Sequence, residues 1–354
     1  MPKYNIDLPK TMQHISVITI AVALILAGWF FIPRGSAPVP GEIVQVEDQY
    51  AHNGDCAVTR SFDGVCLDDG EHQEQPLVAV MIENHIEANP LSGLNKAAVV
   101  YEAPVEGNIP RFMALFPLDT DVKKIGPIRS ARPYYLDWLA EYPGTMYMHV
   151  GGSPDALERI AAEDVFDMNE FSRGWYFWRD QGRFAPHNAY TSAELFRSAH
   201  EKYAPKEISE LQPRWSVQAS EPCTEECITH LEIIFSQGIY APDWYYVSST
   251  NKYERDQFSR PHIDASGPRY EADTIVVQKV QTQVLDNKGR LGMETIGTGD
   301  AYIFAAGNIQ EGTWSKTAKD TPTVFTAKDG QPMHIQGGTI WIEVVPQNGD
   351  VIFE

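Results

Sequence analysis

The residues with the most pronounced chemical character lie between Gly107 and Leu136. Five there are cationic (Arg111, Lys123, Lys124, Arg129 and Arg132) and two are anionic (Asp119 and Asp121). The whole chain of 354 residues has the opposite balance, 28 Lys and Arg against 48 Asp and Glu, a formal net charge of −20. A basic loop in an acidic chain calls for a reason. Guanidinium forks match the paired oxygens of phosphate and carboxylate, and a helix start adds unpaired N–H groups. The chemistry indicated is anion recognition. The competing reading is that these arginines pair with the plentiful internal carboxylates.

Further polar groups gather at two other junctions. Val150-Gly151-Gly152-Ser153-Pro154-Asp155 has two glycines before a capped helix start, which lets a ligand approach the backbone closely. Pro186-His187-Asn188 precedes a second helix, after the aromatic and basic run Asn169 to Phe184 that reads as a hairpin or a lid and contains Arg183. The candidate ligand set is Arg111, Arg129, Ser130, Arg132, Gly151, Gly152, Ser153, Arg183 and Asn188. His149 and His187 are the candidates for a general base, but no catalytic residue is assigned. Glu83 and His85 would need another histidine to bind a metal, so no metal and no cofactor are assigned. Pro261-His262-Ile263-Asp264 offers a His-x-Asp pair in a loop. There is no P-loop, Rossmann fingerprint, HExxH or GxSxG.

These groups need elements to hold them. Leu77 to Glu83, Ala97 to Ala103, Phe112 to Leu118 and Thr145 to Val150 read as strands. The loop Pro104 to Arg111 is expected to expose Glu106 and Arg111. Leu91 to Lys96 and Tyr134 to Tyr142 read as helical. Ser153 as cap and Pro154 at the first position predict a helix to Ala162, and Thr191 to Glu194 reads as a capping box opening a helix to Tyr203. Beyond residue 230 short strands alternate with Gly, Asp and Asn turns, the pattern of an antiparallel β domain. The expected organisation is residues 1–34, a cytoplasmic tail and membrane anchor; 35–75, a flexible tether; 76–205, a mixed α/β domain; 206–229, a connector; and 230–354, a β-rich domain. The fold class is α+β.

Location is read from the N-terminus. Ile15 to Ile32 is an uncharged apolar run of 18 residues, long enough to span a bilayer, with Lys3 and Lys10 before it. Arg34 follows the run, so the positive-inside rule weakly favours a cytoplasmic N-terminus and an exported bulk; an uncleaved anchor is the expectation, with a cleavable signal peptide as the rival reading. Four cysteines agree with export, and Cys56–Cys66 with Cys223–Cys227 is the simplest pairing. The acidic balance argues against a nucleic-acid partner. The partners expected are the membrane and an anionic envelope ligand or envelope protein.

Several segments resemble a known family. Val80 to His85, Tyr101 to Gly107, Arg111 to Phe116, Ile125 to Pro133, His149 to Ser153 and Pro186 to Asn188 resemble the YerB-like family of bacterial envelope lipoproteins, domain of unknown function 3048. Asn251 to Arg255, Gly312 to Trp314 and Gly338 to Ile342 resemble that family's second domain. The resemblance implies a surface location. Many such proteins carry a lipid-modified cysteine close to the N-terminus, which this sequence lacks. Three functions stand open: binding of an anionic envelope ligand, phosphotransfer or hydrolysis at the same arginines, and a protein-interaction scaffold.

Overall fold

A computed structural model describes residues 58–67, 75–206, 211, 214–236 and 238–354. The apolar run at 15–32, Cys56 and most of the tether lie outside the described residues. Among the described residues no helix is long and apolar enough to cross a membrane.

The centre is a ten-stranded mixed sheet. Its strands are β1 (Leu77–Glu83), β2 (Val99–Pro104), β3 (Pro110–Pro117), β4 (Met146–His149), β5 (Asp167–Asn169), β6 (Thr274–Val280), β7 (Gly297–Ala305), β8 (Asn308–Lys316), β9 (Val324–Ala327) and β10 (Ile340–Pro346). They lie in the order β9-β8-β7-β6-β10-β2-β3-β1-β4-β5. Strands β6, β10, β2, β1, β4 and β5 run in one direction, and β3 runs against its neighbours.

The continuous apolar runs explain the central position of β1. Every residue of β1, β3 and β10 is buried, as expected for strands covered on both faces. The strand period of two divides them between two cores. Leu77, Ala79 and Met81 join Tyr135 and Trp138 of helix α1 (Tyr135–Leu139) on one face. Val78, Val80 and Ile82 face the opposite core, with Phe196, Trp244, Tyr253 and Tyr270.

A second sheet covers that opposite face. It is antiparallel and built from Arg260–Pro261, Lys252–Gln257, Asp243–Val247, His230–Ile234 and Asp350–Phe353, with Glu271–Ala272 paired to Lys252–Gln257. In His230–Ile234 and Lys252–Gln257 alternate residues are buried, so one face meets the core.

The α+β expectation of a separate antiparallel domain after residue 230 is corrected in part. The molecule is mainly β with few helices, and the later strands do not form a wholly antiparallel unit. β10 inserts between β2 and β6 and is parallel to both. Residues 58–67, within the expected tether, are packed: Phe62 is fully buried, its carbonyl accepts from Trp215 Nε1, and the Asp63 carbonyl accepts from the Gly338 amide. Cys223 and Cys227 form a disulfide. Cys66 is also disulfide-bonded, while its expected partner Cys56 lies outside the described residues.

The helices of the first half follow their local signals. Helix α2 (Pro154–Ala162) has Ser153 as cap, its hydroxyl accepting from the Ala156 amide. Helix α3 (Glu170–Arg173) is one turn, and helix α4 (Ala193–Tyr203) is capped by Ser192, one residue later than the capping box implied. The run Asn169 to Phe184 contributes to a hairpin, with Trp178–Arg179 paired to Ala189–Tyr190. Leu91 to Lys96 contributes one 3-10 turn, Leu94–Lys96.

Candidate functional site

Parallel strands β1, β2 and β4 end on one edge of the sheet, the edge where open parallel sheets bind ligands. Antiparallel β3 starts there. Glu83 of β1 lies opposite Arg111 of β3, so the two side chains share a face. The basic loop closes this edge. Its residue Ile128 bridges Ile82, the Arg129 amide donates to the Met81 carbonyl, and the Val150 amide donates to the Arg129 carbonyl. Segment 128–131 therefore lies between the ends of β1 and β4.

Gly126 makes that entry feasible. Its φ is +140°, and a Cβ there would lie 2.7 Å from the Ala189 carbonyl oxygen. Gly126→Ala is expected to lower stability by about 1–3 kcal/mol, from backbone strain and the contact together. Urea unfolding of the variant would measure it, and a change under about 0.5 kcal/mol would show that the loop tolerates a side chain there.

Three guanidiniums meet at this edge. Arg132 makes a fork with Glu106: Nε lies 2.8 Å and 3.0 Å from the two carboxylate oxygens, and the nearer terminal nitrogen 2.6 Å from Oε2. Burial works to raise the Glu106 carboxyl, but the hydrogen bonds and charge of Arg132 outweigh it and hold its pKa below the usual value. Arg129 Nε is 3.3 Å from Glu83 Oε1 without hydrogen-bond geometry. These two arginines thus match the internal-carboxylate reading. Arg111 differs. It is buried, and its guanidinium donates to the Ser130 carbonyl at 2.6 Å. Among the described residues no carboxylate forms an ion pair with it. Burial, reinforced by the nearby charges of Arg132 and Arg129, pushes its pKa down to about 10. The expectation that Arg111 is exposed is therefore corrected: it is the second residue of the buried strand β3.

The remaining candidates have partners within the protein. The Ser130 hydroxyl donates to the Val150 carbonyl. The Gly151 amide donates to Asn169 Oδ1, and Ser153 caps its helix. Gly152 lies beside Ala131 in an isolated bridge. Arg183 donates to the Asn89 and Pro90 carbonyls and to the Tyr190 hydroxyl. Asn188 Oδ1 accepts from Arg179, and its amide donates to the Arg183 carbonyl. Lys124 pairs with Asp180 at 2.5 Å and lies over the Tyr190 ring.

Both histidines are engaged as well. His149 is fully buried, with Nδ1 2.7 Å from the Gly151 carbonyl and Nε2 2.8 Å from Asp167 Oδ1. Neither ring nitrogen is free to take a substrate proton. His187 Nδ1 is 2.8 Å from Glu83 Oε2. The pair His262 and Asp264 serves packing: His262 Nε2 meets Asn89 Oδ1, and the Asp264 carboxylate accepts from the Gly93 amide at 2.6 Å.

The partners Glu83, Glu106 and Asp167 fell outside the sequence-derived ligand set. Glu83, the one charge in an otherwise apolar strand, is the legible signal. A cleft of about 720 Å³ lies elsewhere, lined by Tyr142, Glu163, Asp167, Arg173, Tyr203 and Lys319, and by none of the three arginines. It reaches the site only through Asp167, which holds His149.

Two family models match the chain. "Protein of unknown function (DUF3048) N-terminal domain" covers residues 63–206, and the corresponding C-terminal domain covers residues 231–342. The chain belongs to the DUF3048 family. A DUF3048 relative in Bacillus subtilis (strain 168), named "Putative lipoprotein YerB", is 28% identical over 277 residues, covering 77% of this chain and 82% of the relative. The crystal structure of YerB protein from Bacillus subtilis matches with a TM-score of 0.73 at 26% identity, covering 83% of this chain and 99% of that one. The two DUF3048 segments meet in the central sheet, where β2 from the first pairs with β10, which begins in the second.

Proposed function

We propose that this DUF3048 protein is held at the cell membrane by residues 15–32, with residues 35–354 outside, and binds an anionic envelope ligand through Arg111, Arg129 and Arg132. The observation that carries the ligand is the buried Arg111 guanidinium, which lacks a carboxylate partner among the described residues and adjoins two further arginines. Three guanidiniums face two carboxylates, Glu83 and Glu106. A phosphate or carboxylate would supply the missing negative charge and accept charge-assisted hydrogen bonds. The uncharged run after Lys3 and Lys10, the disulfide, and a relative named as a lipoprotein support the location. The engaged nitrogens of His149 favour binding over general-base catalysis at this edge.

The test is thermal denaturation of the full chain against pyrophosphate, polyprenyl phosphate, muropeptides and anionic glycans. A ligand at 100 times its Kd stabilises by about 2.7 kcal/mol. That stabilisation is expected for at least one of them and is expected to vanish in Arg129→Ala/Arg132→Ala. Arg111→Met removes a buried cation and retains its volume, so it is expected to melt at or above wild type while binding is lost. No shift with any ligand, or a shift that survives both variants, defeats the reading.

A further inference from the structure

Beyond the arginines, the same edge carries a second constellation. His85 follows β1, Glu87 lies in the 3-10 turn Ile86–Ala88, and His187 arrives from the loop before helix α4. One ligand atom from each lies within 4.8 Å of the others. We infer that His85, Glu87 and His187 bind a divalent transition-metal ion of the zinc class.

Orientation is the strongest argument. His187 Nδ1 lies 2.8 Å from Glu83 Oε2, so its N–H donates to that carboxylate. Glu83 is buried, and its other oxygen is held 3.3 Å from Arg129. The Nε2 lone pair is thereby aimed outward at Glu87 Oε2, 3.4 Å away. A carboxylate behind a histidine, fixing its tautomer and ring, is the usual support of a metal-binding imidazole. The 3.4 Å between His187 Nε2 and Glu87 Oε2 fits too, while His85 Nδ1, 3.9 Å from Glu87 Oε2, closes in on the ion when it binds. Ligand atoms on a tetrahedral zinc, each about 2.0–2.1 Å from it, stand about 3.3–3.4 Å apart.

Electrostatics points the same way. The Nε2 lone pair and a carboxylate oxygen are both acceptors, and two facing acceptors need a positive charge between them. A proton would serve that pair alone, whereas a metal ion would serve the His85 nitrogen as well. The His85 and His187 rings are stacked with centroids 5.2 Å apart. His85 Nδ1 lies 3.9 Å from Glu87 Oε2 and accepts a long hydrogen bond from the Glu87 amide at 3.2 Å, which the ion displaces when it takes that lone pair. Two imidazoles and a carboxylate are a donor set for zinc and its neighbours rather than for magnesium or calcium. Three protein ligands leave a coordination position for water, and the Glu87 side chain, 71% exposed, puts that position within reach of solvent.

This inference is independent of the anion reading, and its test contains no anionic ligand. The demetallated full chain, free of any affinity tag, is titrated with Zn²⁺ by calorimetry and with Co²⁺ by visible absorption. The expected result is one ion per chain and the intense d–d bands of tetrahedral cobalt. His187→Ala, His85→Ala and the surface variant Glu87→Ala should each weaken binding at least 100-fold. Glu83→Gln, which loosens His187 without removing a ligand, should weaken it about 10–100-fold. His230→Ala, at a histidine paired with Asp243, should change nothing. No binding by wild type, or binding unchanged in Glu87→Ala and His85→Ala, overturns the assignment. Glu87→Ala keeps the test decisive if a histidine variant fails to fold.

Discussion

Glu102→Gln is expected to cost about 3–5 kcal/mol of stability, whereas Glu343→Gln, at the position paired with it, is expected to cost under about 1 kcal/mol. The two carboxyls face each other across β2 and β10. Both are fully buried, as is Arg255, which reaches in from the second sheet. One terminal nitrogen of Arg255 lies 2.8 Å and 3.0 Å from the Glu102 oxygens, and Asn84 donates to Glu102 at 2.9 Å. Glu343 accepts from Trp244 Nε1 at 3.0 Å, and its other oxygen has no partner among the described residues while both carboxyls are charged. A proton on that oxygen, given to Glu102, resolves the conflict. Burial, with the Glu102 charge adding to it, holds the Glu343 pKa well above the usual value. Glu102 is the counter-ion of Arg255 and Glu343 is a neutral donor. Gln imitates the second and not the first.

This asymmetry has a pH signature. A carboxyl whose folded pKa is raised binds more protons in the folded state, so its contribution is complete below its unfolded value, about 4.3, and is lost as pH rises through the folded value. Glu343→Gln lacks that proton. Its stability relative to wild type is therefore expected to rise between pH 5 and pH 9. Urea unfolding of both proteins across that range measures it. A relative stability that stays flat or falls would place the shared proton elsewhere.

Glu141→Gln is expected to be as damaging, at about 3–5 kcal/mol, because it strands two buried cations. Glu141 Oε1 accepts from Lys316 Nζ at 3.1 Å, and Oε2 lies 2.6 Å from Arg214. Thr323 donates to both oxygens, from its hydroxyl at 2.8 Å and its amide at 3.1 Å. All three charged side chains are at most 1% exposed. Arg214 also donates to the Tyr101 hydroxyl at 3.0 Å. Burial depresses the Lys316 ammonium despite the carboxylate beside it. A domain's whole stability is about 5–15 kcal/mol, so the variant should melt far below wild type. Lys316→Met in the Glu141→Gln background is expected to recover part of the loss, giving a coupling of at least about 1 kcal/mol. Equal melting of wild type and Glu141→Gln, or strict additivity in the pair, would show that solvent reaches the site.

Both networks tie distant parts of the chain together, and neither was legible. Glu102 and Arg255 are separated by 153 residues, and Glu141 and Thr323 by 182. A charged residue inside an apolar strand hints that a partner exists, but spacing does not name it. The same holds for β10. Gly338 to Pro346 reads as a strand from its own residues, while its place between β2 and β6 depends on hydrogen bonds to segments far away in the chain.

What the sequence determined by itself is local. The all-apolar run of β1, the Ser153 and Pro154 start of helix α2, the Cys223–Cys227 pairing and the gathering of arginines at one loop each depend on a few neighbouring residues, whose backbone preferences and burial pattern act over one or two turns. What the tertiary structure alone decided is which charges meet. It gave Arg129 and Arg132 their carboxylates, left Arg111 without one among the described residues, closed both His149 nitrogens and brought His187 to Glu83 and Glu87. The physical reason is that ion pairs and ligand sets form through space, and the parallel strand ends that bring these groups to one edge are joined by long crossovers whose closure no local pattern records.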